Sequence, residues 1–170
     1  MDRQSVHEQW DRDRATLHEL VASAGGAELR RRSRGTRWTN RQLVFHLVFG
    51  YQITRALLLL VRLFGRLPDR VGRGFAATLD AAARPFHAVN YLGSCGGGLL
   101  GPRFAAWWLD RIIASLHRSL DRTTDAELVR EMPFPTRWDP FFRPSMTLAD
   151  VYRYPARHFA FHVRQLTIDR

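Results

Sequence analysis

The sequence predicts an all-helical domain, and three observations support that class. No alternating apolar and polar run flanked by turn residues is long enough to suggest a sheet. Four stretches repeat apolar residues at helical spacing, and each begins at residues that start helices. The 170 residues, 45% hydrophobic and 25% charged, have the proportions of one ordinary soluble domain spanning 1–170.

The first helix is expected to start at Ser5, with Glu8 completing a capping box, and to turn Val6, Trp10, Leu17, Leu20 and Val21 inward until Gly25 and Gly26 stop it. His7 and His18 share a face with Asp11 and Arg14, which reads as solvated surface. A long second helix follows from Thr39 or Asn40 to Leu67, ended by Pro68. At about 100° per residue, Leu43, Gly50, Ile53, Leu57 and Phe64 fall within about 60° of His46. Arg55, Arg62 and Arg66 fall opposite, so His46 is expected at the centre of a buried stripe, where its ring needs a partner.

Residues 84–101 are rich in glycine and read as a long loop or lid between helices two and three. Pro102 suits the first turn of the third helix, whose apolar face is Leu109, Ile112, Ile113, Leu116 and Leu120 and whose wet face includes His117. A connection rich in proline and aromatic residues leads to the last helix, expected near Thr147 with Asp150 at its third position. There Val151, Tyr154, His158, His162, Gln165 and Asp169 share one face, with Arg153, Arg157 and Arg164 on the other. Pro155 removes one backbone hydrogen bond and is expected to kink the helix one turn before His158.

Composition excludes several classes. A single cysteine, Cys95, forms neither an intramolecular disulfide nor a cysteine-based zinc cluster, which fits a reducing, cytoplasmic setting. The N-terminus is polar, without the apolar run of a secretory signal. The longest apolar tract, Gln42 to Thr54, is uncharged for thirteen residues before Arg55 interrupts it, short of the roughly 20 that span a membrane. The formal charge is +10, and every basic residue is arginine. Such a surface suits a polyanion or simply solubilises the fold. No helix-turn-helix, zinc-finger spacing or RNA-recognition signature accompanies it, so nucleic acid is not the expected partner.

Histidines four apart stack on one helical face, so His158 and His162 can offer two imidazole nitrogens to one ion. Packing their stripe against that of His46 brings three neutral imidazoles together. Three protein ligands with positions left open is the pattern of a catalytic rather than a closed structural metal site.

The residues carrying this pattern resemble a known family. Arg37-Trp38-Thr39-Asn40-Arg41-Gln42-Leu43-Val44-Phe45-His46, the Trp138-Asp139-Pro140-Phe141-Phe142 connection, and Thr147 through His158-Phe159-Ala160-Phe161-His162 to Leu166 are similar to the DinB/YfiT-like superfamily, over nearly the whole chain. The resemblance implies a four-helix bundle with one histidine on the second helix and a His-x-x-x-His pair on the last, binding a divalent metal, usually zinc or nickel. It implies that His46, His158 and His162 are the ligands. It further implies metal-dependent transfer or isomerisation with a small thiol such as mycothiol or bacillithiol, and homodimers are common in the family.

A metal ion lowers the pKa of a coordinated thiol or water, so the expected activity is attack by that nucleophile on a small electrophilic substrate. Tyr154 and Gln165 are candidates to hydrogen-bond a ligand imidazole or bound water. Cys95 and His87 are candidates to join the site if the Gly-rich segment folds over it; a plain loop histidine and an inert thiol are the competing readings. The rival function is a non-catalytic metal-binding module whose arginine-rich surface contacts a polyanion. The cluster Arg30, Arg31, Arg32, Arg34, Arg37 and Arg41 precedes the His46 helix and is placed to steer an anionic thiol or substrate.

Overall fold

A computed structural model describes residues 1–168; Asp169, expected on the histidine face, lies outside the described residues. The chain order is α1 (Arg3–Ser23), α2 (Gly26–Arg30), α3 (Asn40–Phe64), α4 (Asp69–Ala81), α5 (Ala83–Gly98), α6 (Pro102–Asp121), α7 (Asp125–Leu128), β1 (Glu131–Pro133), β2 (Ser145–Thr147) and α8 (Leu148–Val163). The two strands form a small antiparallel ribbon, Glu131 opposite Thr147. Three-residue strands are too short to show a period of two, which is why the sequence hides them.

Helix starts follow local capping chemistry. Thr39 and Gln42 form a reciprocal box at the head of α3, and Thr147 and Asp150 form one at the head of α8. The first helix begins earlier than expected. Asp2, not Ser5, is its cap, accepting from the Ser5 N–H at 3.2 Å, while the Glu8 carboxylate is drawn to Gln4 and Arg12. At the other end, α8 runs on through Pro155, and Gln165 sits in the turn beyond Val163.

Helices α1, α3, α6 and α8 pack around one apolar core, with α3 against α8 and α6, and α1 against α6 and α8. Trp10 and Leu17 of α1, Leu47 and Tyr51 of α3, Ile112 and Ile113 of α6, and Val151 and Tyr152 of α8 are almost wholly buried. By length and apolarity α3 could cross a membrane, but 61% of its most apolar window is buried inside the protein. Its apolarity serves this core. No other helix among the described residues is both long and apolar enough to qualify.

Three sequence expectations need correction. Residues 84–98, expected as a loop, are helical in α5, preceded by α4. Glycine costs a helix about 1 kcal/mol per residue, but here its missing side chain lets α5 approach α3. A Cβ on Gly97 would lie 2.1 Å from the Phe45 ring, and one on Gly98 3.0 Å from Gln42. Packing outweighs propensity. Arg62, expected in solvent, is half-buried and donates to Ser119 (3.1 Å), Thr123 (3.0 Å) and Tyr152 (2.9 Å). A long arginine stem can cover apolar surface while its head finds oxygens at the rim. His7 and His117, expected as separate solvated residues, are half-buried and face each other across the α1–α6 seam.

One buried ion has a measurable consequence. The Asp13 carboxylate is 5% exposed and accepts from Tyr51 (2.6 Å) and Gln9 (2.9 Å). Burial pushes its pKa from 3.8 up to about 6, against the opposing pull of Tyr51, Gln9 and Arg12. A raised folded-state pKa means the native protein holds a proton that the unfolded chain has lost, so Asp13's contribution falls as pH rises between those two values. The shift corresponds to about 3 kcal/mol. Asp13→Asn, which keeps an oxygen for Tyr51, is expected to raise denaturant stability at pH 7 and leave it little changed at pH 3.5. Equal effects at both pH values would show that the carboxylate is not desolvated in this way.

Candidate metal centre

The site is built where the N-terminal part of α3 meets the C-terminal half of α8. His46 projects from α3 and His158 and His162 from consecutive turns of α8. One ligand atom from each can be chosen so that all lie within 4.8 Å of one another. Ring centroids are 4.9 Å apart for His46 and His158, 4.7 Å for His46 and His162, and 4.5 Å for His158 and His162. His46 and His158 are each 4% exposed, and His162 is half-buried. Gly50, one turn beyond His46, makes the room: a Cβ there would fall 2.3 Å from His158 Nδ1.

Neighbouring groups set the ring protons. Ser94 Oγ–H donates to the Asn90 carbonyl at 2.9 Å, so the same oxygen accepts from His46 Nδ1–H at 3.2 Å. His162 Nδ1–H donates to Gln165 Oε1 at 2.6 Å. In both rings the proton sits on Nδ1 and leaves the Nε2 lone pair free. His158 Nδ1 is buried without a hydrogen-bond partner. Trp38 covers the His46 ring at 4.3 Å between centroids.

All three imidazoles are held neutral. Burial, reinforced by His162, lowers the His46 pKa to about 3. Burial and then the two other histidines push His158 well below its usual value. Burial also lowers His162, partly offset by Gln165 and Asp139. Neutral imidazoles with free lone pairs are able to serve as metal ligands.

Beside the histidines a small, partly open pocket of about 20 Å³ is lined by His46, His158, Asn90, Asp139, Tyr154 and the rings of Phe86, Phe142 and Trp138. That volume suits one water molecule. Tyr154, expected to reach a histidine or bound water, instead donates its hydroxyl to Asp139 Oδ2 at 2.8 Å. Burial raises the Asp139 pKa, opposed by the Phe141 N–H and by Tyr154. Burial and then the adjacent Asp139 raise Tyr154 well above its usual value.

Asp139, Asn90 and Ser94 were not singled out from the sequence. Asp139 lies in the Trp138–Phe142 connection, whose aromatic content was the available signal; Asn90 and Ser94 were hidden inside a segment read as loop. His87 donates its Nε2–H to the Arg137 carbonyl, 3.0 Å away, on an exposed part of α5. Cys95 is half-buried on the same helix. Neither belongs to the metal-capable group, which among the described residues consists of the three histidines. Of the arginine cluster, Arg30, Arg31, Arg32, Arg34 and Arg37 are exposed, while Arg41 donates to the Leu99 carbonyl at the end of α5 at 2.7 Å.

Comparison with known proteins gives one family. The profile of the DinB superfamily matches residues 9–166. No curated protein and no solved structure matches the chain.

Proposed function

The chain belongs to the DinB superfamily, and from that premise we propose that it is a metal-dependent enzyme of the bundle type, a single domain over 1–170 that acts on a small electrophilic substrate. His46, His158 and His162 hold the ion, zinc or nickel, and the cosubstrate is water or a low-molecular-weight thiol such as mycothiol. The observation that carries this reading is the set of three neutral imidazoles converging within 4.8 Å, one of them with a buried nitrogen that no protein group satisfies. A buried polar atom without a partner is costly, and a metal ion is the partner that three converging lone pairs fit.

A bound divalent ion supplies a Lewis acid that lowers the pKa of thiol or water near it. This chain's own residues do the rest. Ser94 and Gln165 hold the His46 and His162 tautomers with Nε2 free, as carbonyl and carboxylate partners do at metal sites generally. Aromatic rings form an apolar wall of the pocket, and Asp139, paired with Tyr154, places a carboxylate at its edge. The exposed arginines before α3 favour approach of an anionic cosubstrate. The exposed Leu59, Leu63, Leu92 and Leu99 support a homodimer, and the lone cysteine supports a cytoplasmic setting.

Two measurements test the reading. Elemental analysis of protein purified without a metal-affinity tag is expected to find about one ion per triad, absent from His46→Ala and His158→Ala. Metal-loaded protein incubated with a thiol panel and generic electrophiles is expected to consume thiol or hydrolyse the electrophile, and the metal-free protein is not. Stoichiometric metal with no turnover, together with salt-sensitive binding to DNA, would favour the non-catalytic polyanion-binding module.

A further inference from the structure

A second group of titratable side chains lies outside the triad, on the seam between α1 and α6. His7 Nε2 stands 3.0 Å from Asp121 Oδ1, and His117 Nε2 stands 3.4 Å from Asp11 Oδ1. Between them His7 Nδ1 and His117 Nδ1 are in direct contact. The ring centroids are 4.6 Å apart and the planes differ by 16°. Rings stacked face to face at that separation would hold their nitrogens out of contact, so the two imidazoles lie edge to edge with the Nδ1 atoms aimed at each other.

Proton counting then exposes a deficit. The line carboxylate, imidazole, imidazole, carboxylate contains three contacts, and each needs one proton or cation between two acceptors. The two imidazoles bring two protons when both are neutral, and a third proton or a metal ion then completes the line. With those on the Nε2 atoms that face carboxylates, two Nδ1 lone pairs point at one another and the centre of the line lacks a cation.

We propose that this centre is a second metal site, in which His7 Nδ1 and His117 Nδ1 bind one divalent ion of the kind imidazole favours, such as zinc, with water completing its coordination. Each ring has a carboxylate beside its other nitrogen, 3.0 Å away for His7 and 3.4 Å for His117, which is the arrangement that orients metal-binding histidines. The side chains of His7 and His117 are 18% and 24% exposed, so an ion and its waters can reach them from solvent. Zinc–nitrogen distances of about 2.0–2.1 Å require the rings to swing apart by about an ångström, a rotation open to side chains that are free on one side. Trp10 lies beneath both rings, 5.8 Å and 5.5 Å away between centroids, and closes the inner face. Arg14 shares Asp11 at 3.2 Å, so Asp121 is the carboxylate given wholly to this site.

The probe is Zn²⁺ added to metal-free protein, followed by calorimetric stoichiometry and by the imidazole ¹⁵N signals. Wild-type protein is expected to take two equivalents, the weaker one shifting the Nδ1 signals of His7 and His117. His7→Ala and His117→Ala each abolish the weaker equivalent and keep the tighter one, and Asp121→Asn weakens it about tenfold. A His46→Ala/His158→Ala protein retains the seam equivalent, which separates this site from the proposed catalytic one. A single equivalent in wild type with unmoved His7 and His117 signals would overturn the proposal. So would a pair that titrates together around one shared proton and ignores Zn²⁺.

Discussion

Gly50→Ala is expected to release the proposed metal ion without altering a ligand residue. The new methyl would stand 2.3 Å from His158 Nδ1 and 2.7 Å from its Cε1, so the ring must leave its place in the triad. The backbone is not harmed by the change, since alanine suits a helix interior better than glycine by about 1 kcal/mol. Metal affinity, measured by competition with a chelator, is expected to fall about 10- to 100-fold or more, the range seen when the groups that orient a metal ligand are disturbed. Helical circular dichroism is expected to stay unchanged. Full metal affinity in this variant would mean that the ion does not use His158 where the structure puts it.

The metal-free protein carries a matching pH signature. Its three histidines have depressed pKa values, so below about 6.5, the ordinary histidine value, the unfolded chain takes up protons that the folded protein refuses. Stability from this source is present above that pH and lost as pH falls. Zinc is expected to raise the melting temperature at pH 7 and to lose that effect in His158→Ala.

Gly97→Ala has the second large effect, and its sign depends on position within one helix. The added Cβ would meet the Phe45 ring at 2.1–2.3 Å, and overpacking of this kind costs about 1–3 kcal/mol. At Gly93 and Gly96, on the same helix, a Cβ would meet nothing within 4 Å. Alanine there is expected to stabilise by up to about 1 kcal/mol. Thermal melts of the three variants should therefore split, Gly97→Ala below wild type and the other two at or above it. Gly97→Ala is also expected to loosen α5 over the cavity beside the triad, seen as faster hydrogen exchange at Asn90 and Ser94. A stabilised Gly97→Ala would show that α5 does not pack on α3 through its glycines.

The legible parts of this protein were those where one side chain announces its role locally. Thr39 with Gln42 and Thr147 with Asp150 mark helix starts because a cap acts within one turn. The His46 stripe and the His158–His162 pair follow from helical period alone. Gln165 was legible as a partner on the metal-facing side, although it reaches His162 from the turn after α8. The unread parts depend on distance. Asp139 pairs with Tyr154 from a loop 15 residues away, beyond the reach of helical period, and Ser94 meets His46 from a helix that propensity argues against.

By itself the sequence determined the helical class, the four apolar faces and the three histidines that share them, because amphipathic period and capping are local properties of the chain. Tertiary structure alone decided that the glycine-rich segment is a helix, that Arg62 turns inward to hydroxyls, and that His7 and His117 meet across a seam. In each case burial against a distant partner outweighed a local preference, and local sequence does not encode which distant surface will arrive.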